Sequence, residues 1–281
     1  MHIVVCIKQV PDSAQIRVHP VTNTIMRQGV PAIVNPYDLY ALEEALRLKD
    51  QYGGRVTALT MGPPMAEAAL AKAISYGADD AILVTDRAFA GSDTLATSYA
   101  LASAIQQVHR DMHVDLVFTG KQTIDGDTAQ VGPGIAKRLN MQLLTYVSKV
   151  RAVNLEKNEI VAERRAEGGV QVLKTKTPCL ITVLEGNNEM RFATMANMFR
   201  ASRYPIKVWN KELAGIEDLS KTGLKGSPTV VSRVFAPTPR AIKAELIQCE
   251  SNDPKDLSAT LLAKLFSQHP KLIHELSKRA Q

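Results

Sequence analysis

Residues 114–127 read Val114-Asp115-Leu116-Val117-Phe118-Thr119 and then Gly120-Lys121-Gln122-Thr123-Ile124-Asp125-Gly126-Asp127, with a helical pattern following to about Leu139. The first part is a short apolar run rich in β-branched and aromatic side chains, which predicts a buried strand. The second is polar and carries two glycines, which predicts a loop at the strand's carboxyl end. The same unit recurs upstream. His2–Ile7, Arg55–Met61 and Asp80–Val84 are apolar strands, and helical stretches follow at Leu39–Lys49, at Met65–Ser75, and from Gly91-Ser92-Asp93-Thr94 to about Val108. Asp38 is placed to cap the first helix, Pro64 suits the first turn of the second, and Gly77 ends it. Strands alternating with helices predict an α/β fold, a parallel sheet with helices on both faces.

The pattern changes after Val147. Val147–Leu155, Glu159–Ala166, Val170–Thr175 and Cys179–Leu184 are closely spaced strands with turn signals at Lys157-Asn158 and Gly168-Gly169. They read as antiparallel strand additions to the same domain, taken as residues 1–205. Arg191–Ser202 is ambiguous, with helical character. Residues 206–281 read as an extended C-terminal arm, with short helices at Leu257–Phe266 and Leu272–Lys278. Its apolar residues Val208, Trp209, Leu213, Ile216, Val230, Val231 and Phe235 lack the periodicity of a core of their own.

Composition narrows the function. The chain has 281 residues, 45% hydrophobic and 22% charged, as in an ordinary soluble protein. Aromatics are 5%, too few for a protein that stacks single-stranded bases on many rings. The three cysteines, Cys6, Cys179 and Cys249, are far apart and odd in number, against a disulfide framework or zinc site and in favour of a reducing compartment. The net charge of +6 is spread without a basic stripe, so nucleic acid is not expected as a partner. No apolar run reaches the ~18 residues of a membrane helix, and no signal peptide is apparent; a cytoplasmic location is expected.

Ligands of open parallel sheets sit at the carboxyl ends of the strands. The informative ends here are Lys8-Gln9-Val10-Pro11, Met61-Gly62-Pro63, Gly91-Ser92-Asp93-Thr94 and Gly120–Gly134. Helix N-termini at such loops attract phosphate, so a nucleotide or dinucleotide is the natural ligand. There is no GxGxxG after the first strand, no GxxxxGK[ST] and no GxSxG, and no histidine pairs with Cys, Asp or Glu at metal-ligand spacing. Each loop also has a purely structural reading. Asp127 and Gln130 fit a D-x-x-Q capping box, Ser92 or Asp93 fits an N-cap, and Asn35-Pro36 fits a turn.

Six segments carry a family resemblance: Val4–Val10 (VVCIKQV), Asn35-Pro36-Tyr37-Asp38 with Ala41–Lys49 (ALEEALRLK), Met61-Gly62-Pro63, Tyr76–Asp79 (YGAD), Gly120–Pro133 (GKQTIDGDTAQVGP) and Arg191–Ala201 (RFATMANMFRA). In this order and spacing, the chain resembles the β subunit of electron transfer flavoproteins over essentially its whole length. The resemblance implies an adenine-nucleotide-hydrolase-like α/β fold. It implies a heterodimer with an α subunit that carries the electron-transferring FAD, and a β subunit that holds either a structural AMP or a second FAD. Carried over by residue, the nucleotide site would use Cys6, Asn35, Pro36, Tyr37, Asp38 and Met61. Its main loop would be Gly120, Lys121, Gln122, Thr123, Ile124, Asp125, Gly126, Asp127, Thr128, Ala129, Gln130 and Val131. AMP-binding members typically read D-D-D-x-N-Q-T there, and Ala129 and Val131 stand in place of the Asn and Thr. The pattern is more similar to members that bind FAD in the β subunit and bifurcate electrons, which also carry a D-T-x-A-T stretch matched by Asp93-Thr94-Leu95-Ala96-Thr97. Asp93, Thr94 and Thr97 are therefore further cofactor candidates. For that type the resemblance implies NADH as hydride donor, and ferredoxin or flavodoxin beside the α-subunit FAD as acceptors. It implies an acyl-CoA-type or other flavin dehydrogenase docked through Arg191, Met195 and Met198. The unpatterned apolar residues of the arm are expected to wrap the α subunit. The conventional alternative is an AMP-holding scaffold. No catalytic side chain and no metal ligand is expected.

Overall fold

Strand His2–Cys6 is buried along its whole length, and its side chains alternate between two cores. Ile3 and Val5 belong to one, Val4 and Cys6 to the other, as the period of two requires. The computed structural model describes residues 1–12, 17–18, 25–26, 31–229, 244–248 and 253–272. In chain order the elements are β1 (His2–Cys6), β2 (Gln9–Pro11), β3 (Arg17–Val18), β4 (Ile25–Met26), β5 (Ala32–Val34), α1 (Pro36–Tyr52), β6 (Arg55–Met61), α2 (Glu67–Tyr76), β7 (Asp80–Val84), α3 (Thr94–Asp111), β8 (Leu116–Gly120), α4 (Val131–Leu139), β9 (Gln142–Asn154), β10 (Glu159–Ala166), β11 (Gly169–Lys176), β12 (Cys179–Val183), α5 (Met195–Ala201), β13 (Lys207–Trp209) and α6 (Pro254–Gln268).

One nine-stranded sheet runs β11-β10-β9-β12-β8-β1-β6-β7-β13. Helices α1 and α2 bury Leu42, Leu46, Leu70 and Ile74 against one face. Helices α3 and α4 bury Leu101, Ile105 and Ile135 against the other. The predicted α/β fold, a parallel sheet covered on both faces, is what the chain forms.

Two expectations need correction. Cys179–Val183 is not an antiparallel addition, because β12 pairs in parallel with both β8 and β9. The strand before it in sequence is not its neighbour, so the short connection from β11 does not fix its direction. The antiparallel part is β9–β10–β11. Tyr146, at φ 55°, lies where β9 leaves β12 and takes β10 as its partner. The second correction concerns residue 206 onward. Met1–Phe235 form one compact unit and Ala236–Gln281 a second, so the division at 205 falls inside the first. Lys207–Trp209 completes the sheet beside β7, and Trp209 and Ile216 pack on the chain's own α3–α4 core. Val208 and Leu213 are exposed, whereas Val230, Val231 and Phe235 lie outside the described residues. In the second unit α6 covers the predicted Leu257–Phe266 and buries no residue. The helix expected at Leu272–Lys278 falls almost wholly outside the described residues.

Asp80 fastens the β13 edge. This buried carboxylate accepts from Tyr204 Oη at 2.6 Å, Lys207 Nζ at 2.5 Å and Arg55 Nη2 at 2.9 Å. Burial pushes its pKa up, but the hydrogen bonds from Lys207 and Tyr204 outweigh this and hold it below the usual carboxylate value. A depressed folded pKa contributes stability above the unfolded value, near 4, and loses it as pH falls further. Asp80→Asn is expected to cost about 1–3 kcal/mol at neutral pH, and the gap to wild type should close in acid. Urea midpoints at pH 7 and pH 3 check both parts, and a gap independent of pH contradicts the assignment.

Candidate functional site

The sheet changes winding direction at β1, whose neighbours are β6 on one side and β8 on the other. A crevice at the carboxyl ends of the strands is expected there. Asp38 sits across it. Its Oδ2 accepts from the Lys8 backbone N–H at 2.8 Å, just beyond β1, and its Oδ1 accepts from Gly120 N–H at 3.1 Å, at the end of β8. One carboxylate thus holds both strand ends, which is not the capping role predicted for it. Helix α1 begins at Pro36, and Asp38 lies inside its first turn, where a negative charge faces the positive end of the helix dipole. Burial pushes its carboxyl up to about 7, against hydrogen bonds from Asn35, Lys8 and Gly120.

Asn35 holds the loop after β8. Its side chain makes no cap bond to α1. Instead Nδ2 donates to Gln122 O at 2.9 Å and Oδ1 accepts from Ile124 N–H at 3.2 Å. Lys8 Nζ reaches Asp125 at 2.7 Å. Lys121 lies 2.9 Å from Glu185 and its ammonium is 4.7 Å from the centre of the Tyr37 ring. Both lysines are already ion-paired within the protein. The positive potential next to the loop that remains for an anion is that of Arg138, which among the described residues bonds only to the Leu95 and Gly134 carbonyls, and of backbone N–H groups.

Those groups are at α4. The helix begins at Val131, with Gln130 at the N-cap position making no side-chain cap bond. The predicted capping box does not form, because both of its members are engaged elsewhere. Gln130 Oε1 accepts from Thr94 Oγ1 at 2.8 Å, and Asp127 Oδ1 accepts from Gln122 Nε2 at 2.8 Å. Asp127 and Ala129 take left-handed φ values of 54° and 55°, a strained arrangement for non-glycine residues. Beneath the start of α4 the buried Thr119 Oγ1 has no hydrogen-bond partner, and it lies 2.8 Å from where a Cβ at Gly132 would be. Asp125–Thr128 are exposed and Ala129 and Val131 half-buried.

The N-terminus of α3 differs. Asp93 caps it, accepting from Leu95 and Ala96 N–H at 2.9 and 3.0 Å, as the structural reading of that loop allowed. The same carboxylate accepts from Thr229, and Ser227 Oγ accepts from Asp93 N–H. The sequence reading missed both residues, which join from 134 and 136 positions away with no local motif. The Thr94 and Thr97 side chains are half-buried at this end of the helix. Cys6 and Met61 end β1 and β6 on the same side of the sheet. Burial pushes the Cys6 thiol up to about 12, so it stays protonated. A half-open cavity of about 440 Å³ lies elsewhere, among β2, β5, α1 and α2.

A second candidate surface is at α5. Phe192 is 95% exposed and Met195 65%, with Met198 and Phe199 also outward. Met195 is thus not core. The sequence reading missed the two phenylalanines, because periodicity does not tell an outward apolar face from an inward one. Arg191 does not face outward with them. It turns back onto α1, with Nε 2.9 Å from Glu43 Oε2 and Nη2 2.9 Å from Asp50.

The electron transfer flavoprotein domain matches residues 22–214. The chain belongs to the electron transfer flavoprotein family. Among similar proteins, Protein FixA of Azotobacter vinelandii is 70% identical over 280 residues, spanning 100% of both chains. Protein FixA of Sinorhizobium fredii is 63% identical over 278 residues, 99% of this chain and 98% of the relative. Electron transfer flavoprotein subunit beta of Clostridium acetobutylicum is 43% identical over 269 residues, 96% of this chain and 99% of the relative. Within the electron transfer flavoproteins the chain is therefore of β-subunit type. Among the described residues no helix is long and apolar enough to cross a membrane, and no cluster of three His, Cys, Asp or Glu forms a metal site.

Proposed function

We propose that this chain is the β subunit of an electron-bifurcating flavoprotein, paired with an α subunit and carrying an FAD of its own. The observation that supports a nucleotide most directly is the α4 N-terminus, uncapped by a side chain and set over the orphaned Thr119 Oγ1. FAD over AMP is favoured because Ala129 and Val131 offer a terminal phosphate no side-chain hydrogen bond, at about 1–3 kcal/mol for each buried group left unpaired. Thr94, whose hydroxyl donates to Gln130 Oε1, would turn that one hydrogen to a phosphate chain that continues past α4. Asn35 and Asp38 orient the loop, and Gly120 lets it lie close to α1. When bound there, FAD would supply the redox chemistry, namely two-electron hydride uptake from NADH and one-electron transfer to each of two acceptors, the α-subunit FAD and ferredoxin or flavodoxin. Met195 and Met198, with Phe192 beside them, dock an acyl-CoA-type or other flavin dehydrogenase that takes electrons from the α subunit. The α-subunit contact is assigned to the arm, whose exposed Leu261, Leu262 and Leu265 on α6 are apolar surface for a partner to cover.

One observation favours the alternative of a structural AMP with a scaffolding role. Asp93 already occupies the N–H groups of α3, and its negative charge opposes a pyrophosphate there. The test is the number of FAD per purified heterodimer after reconstitution with excess FAD. Two are expected, with one lost in Thr94→Ala/Thr97→Ala. One FAD with stoichiometric AMP in the acid extract overturns the FAD reading.

A further inference from the structure

Glu43 and Glu44 are adjacent on α1 and both buried. Burying two neighbouring carboxylates is costly unless each is met by well-placed donors. Apart from Arg47 beside Glu44, the donors that meet them come from one short stretch, residues 187–191. Glu44 Oε2 accepts from Asn187 and Asn188 Nδ2 at 3.1 and 3.2 Å. Glu43 accepts from the Arg191 backbone N–H at 3.1 Å, from Nε at 2.9 Å and from Nη2 at 3.0 Å, a bidentate fork reinforced by a backbone donor. The next residue is Phe192, which projects fully into solvent. At the far end of α5, Arg200 turns inward as well and donates to the carbonyls of Ile74 and Ala78 at the end of α2.

We infer that Glu43 is a positioning residue for partner docking: through Arg191 it holds the Phe192–Phe199 surface in its binding shape before the partner arrives. The inference rests on the docking reading of α5. Residues 187–194 contain no helix or strand, so side-chain bonds rather than a backbone ladder fix them: the clamp, with Asn188 to the Tyr40 carbonyl and Arg191 to Asp50 beside it. An apolar surface held in place binds more tightly than one ordered on contact, because the ordering entropy is not drawn from the binding free energy. Arg191, carried over from the resemblance as a docking contact, acts from beneath the surface.

The experiment uses the reconstituted heterodimer and its flavin dehydrogenase, purified from the source cells by its ability to reoxidise the reduced heterodimer. Glu43→Gln and Arg191→Lys are each expected to raise KM for the dehydrogenase about tenfold, with kcat and the flavin content of the heterodimer unchanged. The double variant should be no worse than either single, since both break the same clamp. Amide exchange over residues 187–201 should quicken in Glu43→Gln while core amides keep their protection. Phe192→Ala tests the surface itself. If it raises KM and the two clamp variants do not, the positioning role of Glu43 is wrong and the docking surface stands. If Phe192→Ala leaves KM unchanged, the docking reading falls and this inference with it. A Glu43→Gln protein that loses flavin or core protection assigns Glu43 to general stability and also overturns the inference.

Discussion

Gly120→Ala should destabilise the protein by about 1–3 kcal/mol through overpacking alone. A Cβ at this position would lie 2.6 Å from Asp38 Oδ1, 2.6 Å from the Tyr37 carbonyl carbon and 2.8 Å from Tyr37 Cβ. Two of these atoms belong to the first turn of α1, which cannot yield without moving the helix. Relief by the other route pushes Asp38 off the Gly120 N–H and loses a bond to a charged acceptor, worth a further ~1.5–3 kcal/mol. The loop after β8 would then lose its tie to α1 through Asp38, so nucleotide retention should fall together with stability. Gly126→Ala is the control, because the nearest atom to its Cβ would be Thr123 Oγ1 at 3.3 Å, the end of a short polar side chain. Urea unfolding of both variants checks the claim; equal midpoints would mean that the close approach of β8 to α1 carries no constraint.

Asp38→Asn should change both the size of the stability and its dependence on pH. The carboxylate presents one oxygen to each of two backbone N–H groups, and an amide has only one oxygen. One N–H would therefore face an NH2 group, at about 1–3 kcal/mol. The folded-state pKa of about 7 lies above the ordinary 3.8, so the folded protein holds this proton more tightly than the unfolded chain. The stability it contributes is fully present below about pH 4 and is lost as pH rises to about 7, on the order of 1.4 kcal/mol for each pH unit between those limits. The advantage of wild type over Asp38→Asn should therefore be larger at pH 5 than at pH 8. Asp80 and Asp125, with depressed values, titrate below this window and cancel in the comparison. Parallel profiles for the two proteins would show that Asp38 does not titrate there.

The strands of the sheet core were legible because a strand buried on both faces leaves a continuous apolar run, as His2–Ile7 and Asp80–Val84 do. The position of the loop after β8 followed from the same logic, since it only requires knowing where a strand ends. The roles of polar side chains within it were not legible. Asp38, Asp127 and Gln130 each matched a local capping pattern, yet Asp38 and Gln130 bond to groups brought near by the fold, Gly120 and Thr94, and Asp127 bonds to Gln122 within its own loop. The Glu43–Arg191 pair spans 148 positions, beyond any local motif. Strand direction failed at β12 for a related reason, because its neighbours are not its neighbours in sequence.

That placement of β12 also sets an order of assembly. It lies between β8 and β9, so until residues 179–183 leave the ribosome the meander of β9, β10 and β11 has no strand to join it to the parallel half. A nascent chain ending at Lys176 would carry two separate β-structures with an open edge on each side of a one-strand gap. Closing that gap requires contacts distant in sequence, such as Cys179 with Leu116, and contacts of that kind form slowly. The last strand of the interior is thus a keystone set after its flanks, and a truncation just short of it should leave a chain that pairs with its neighbours instead of with itself.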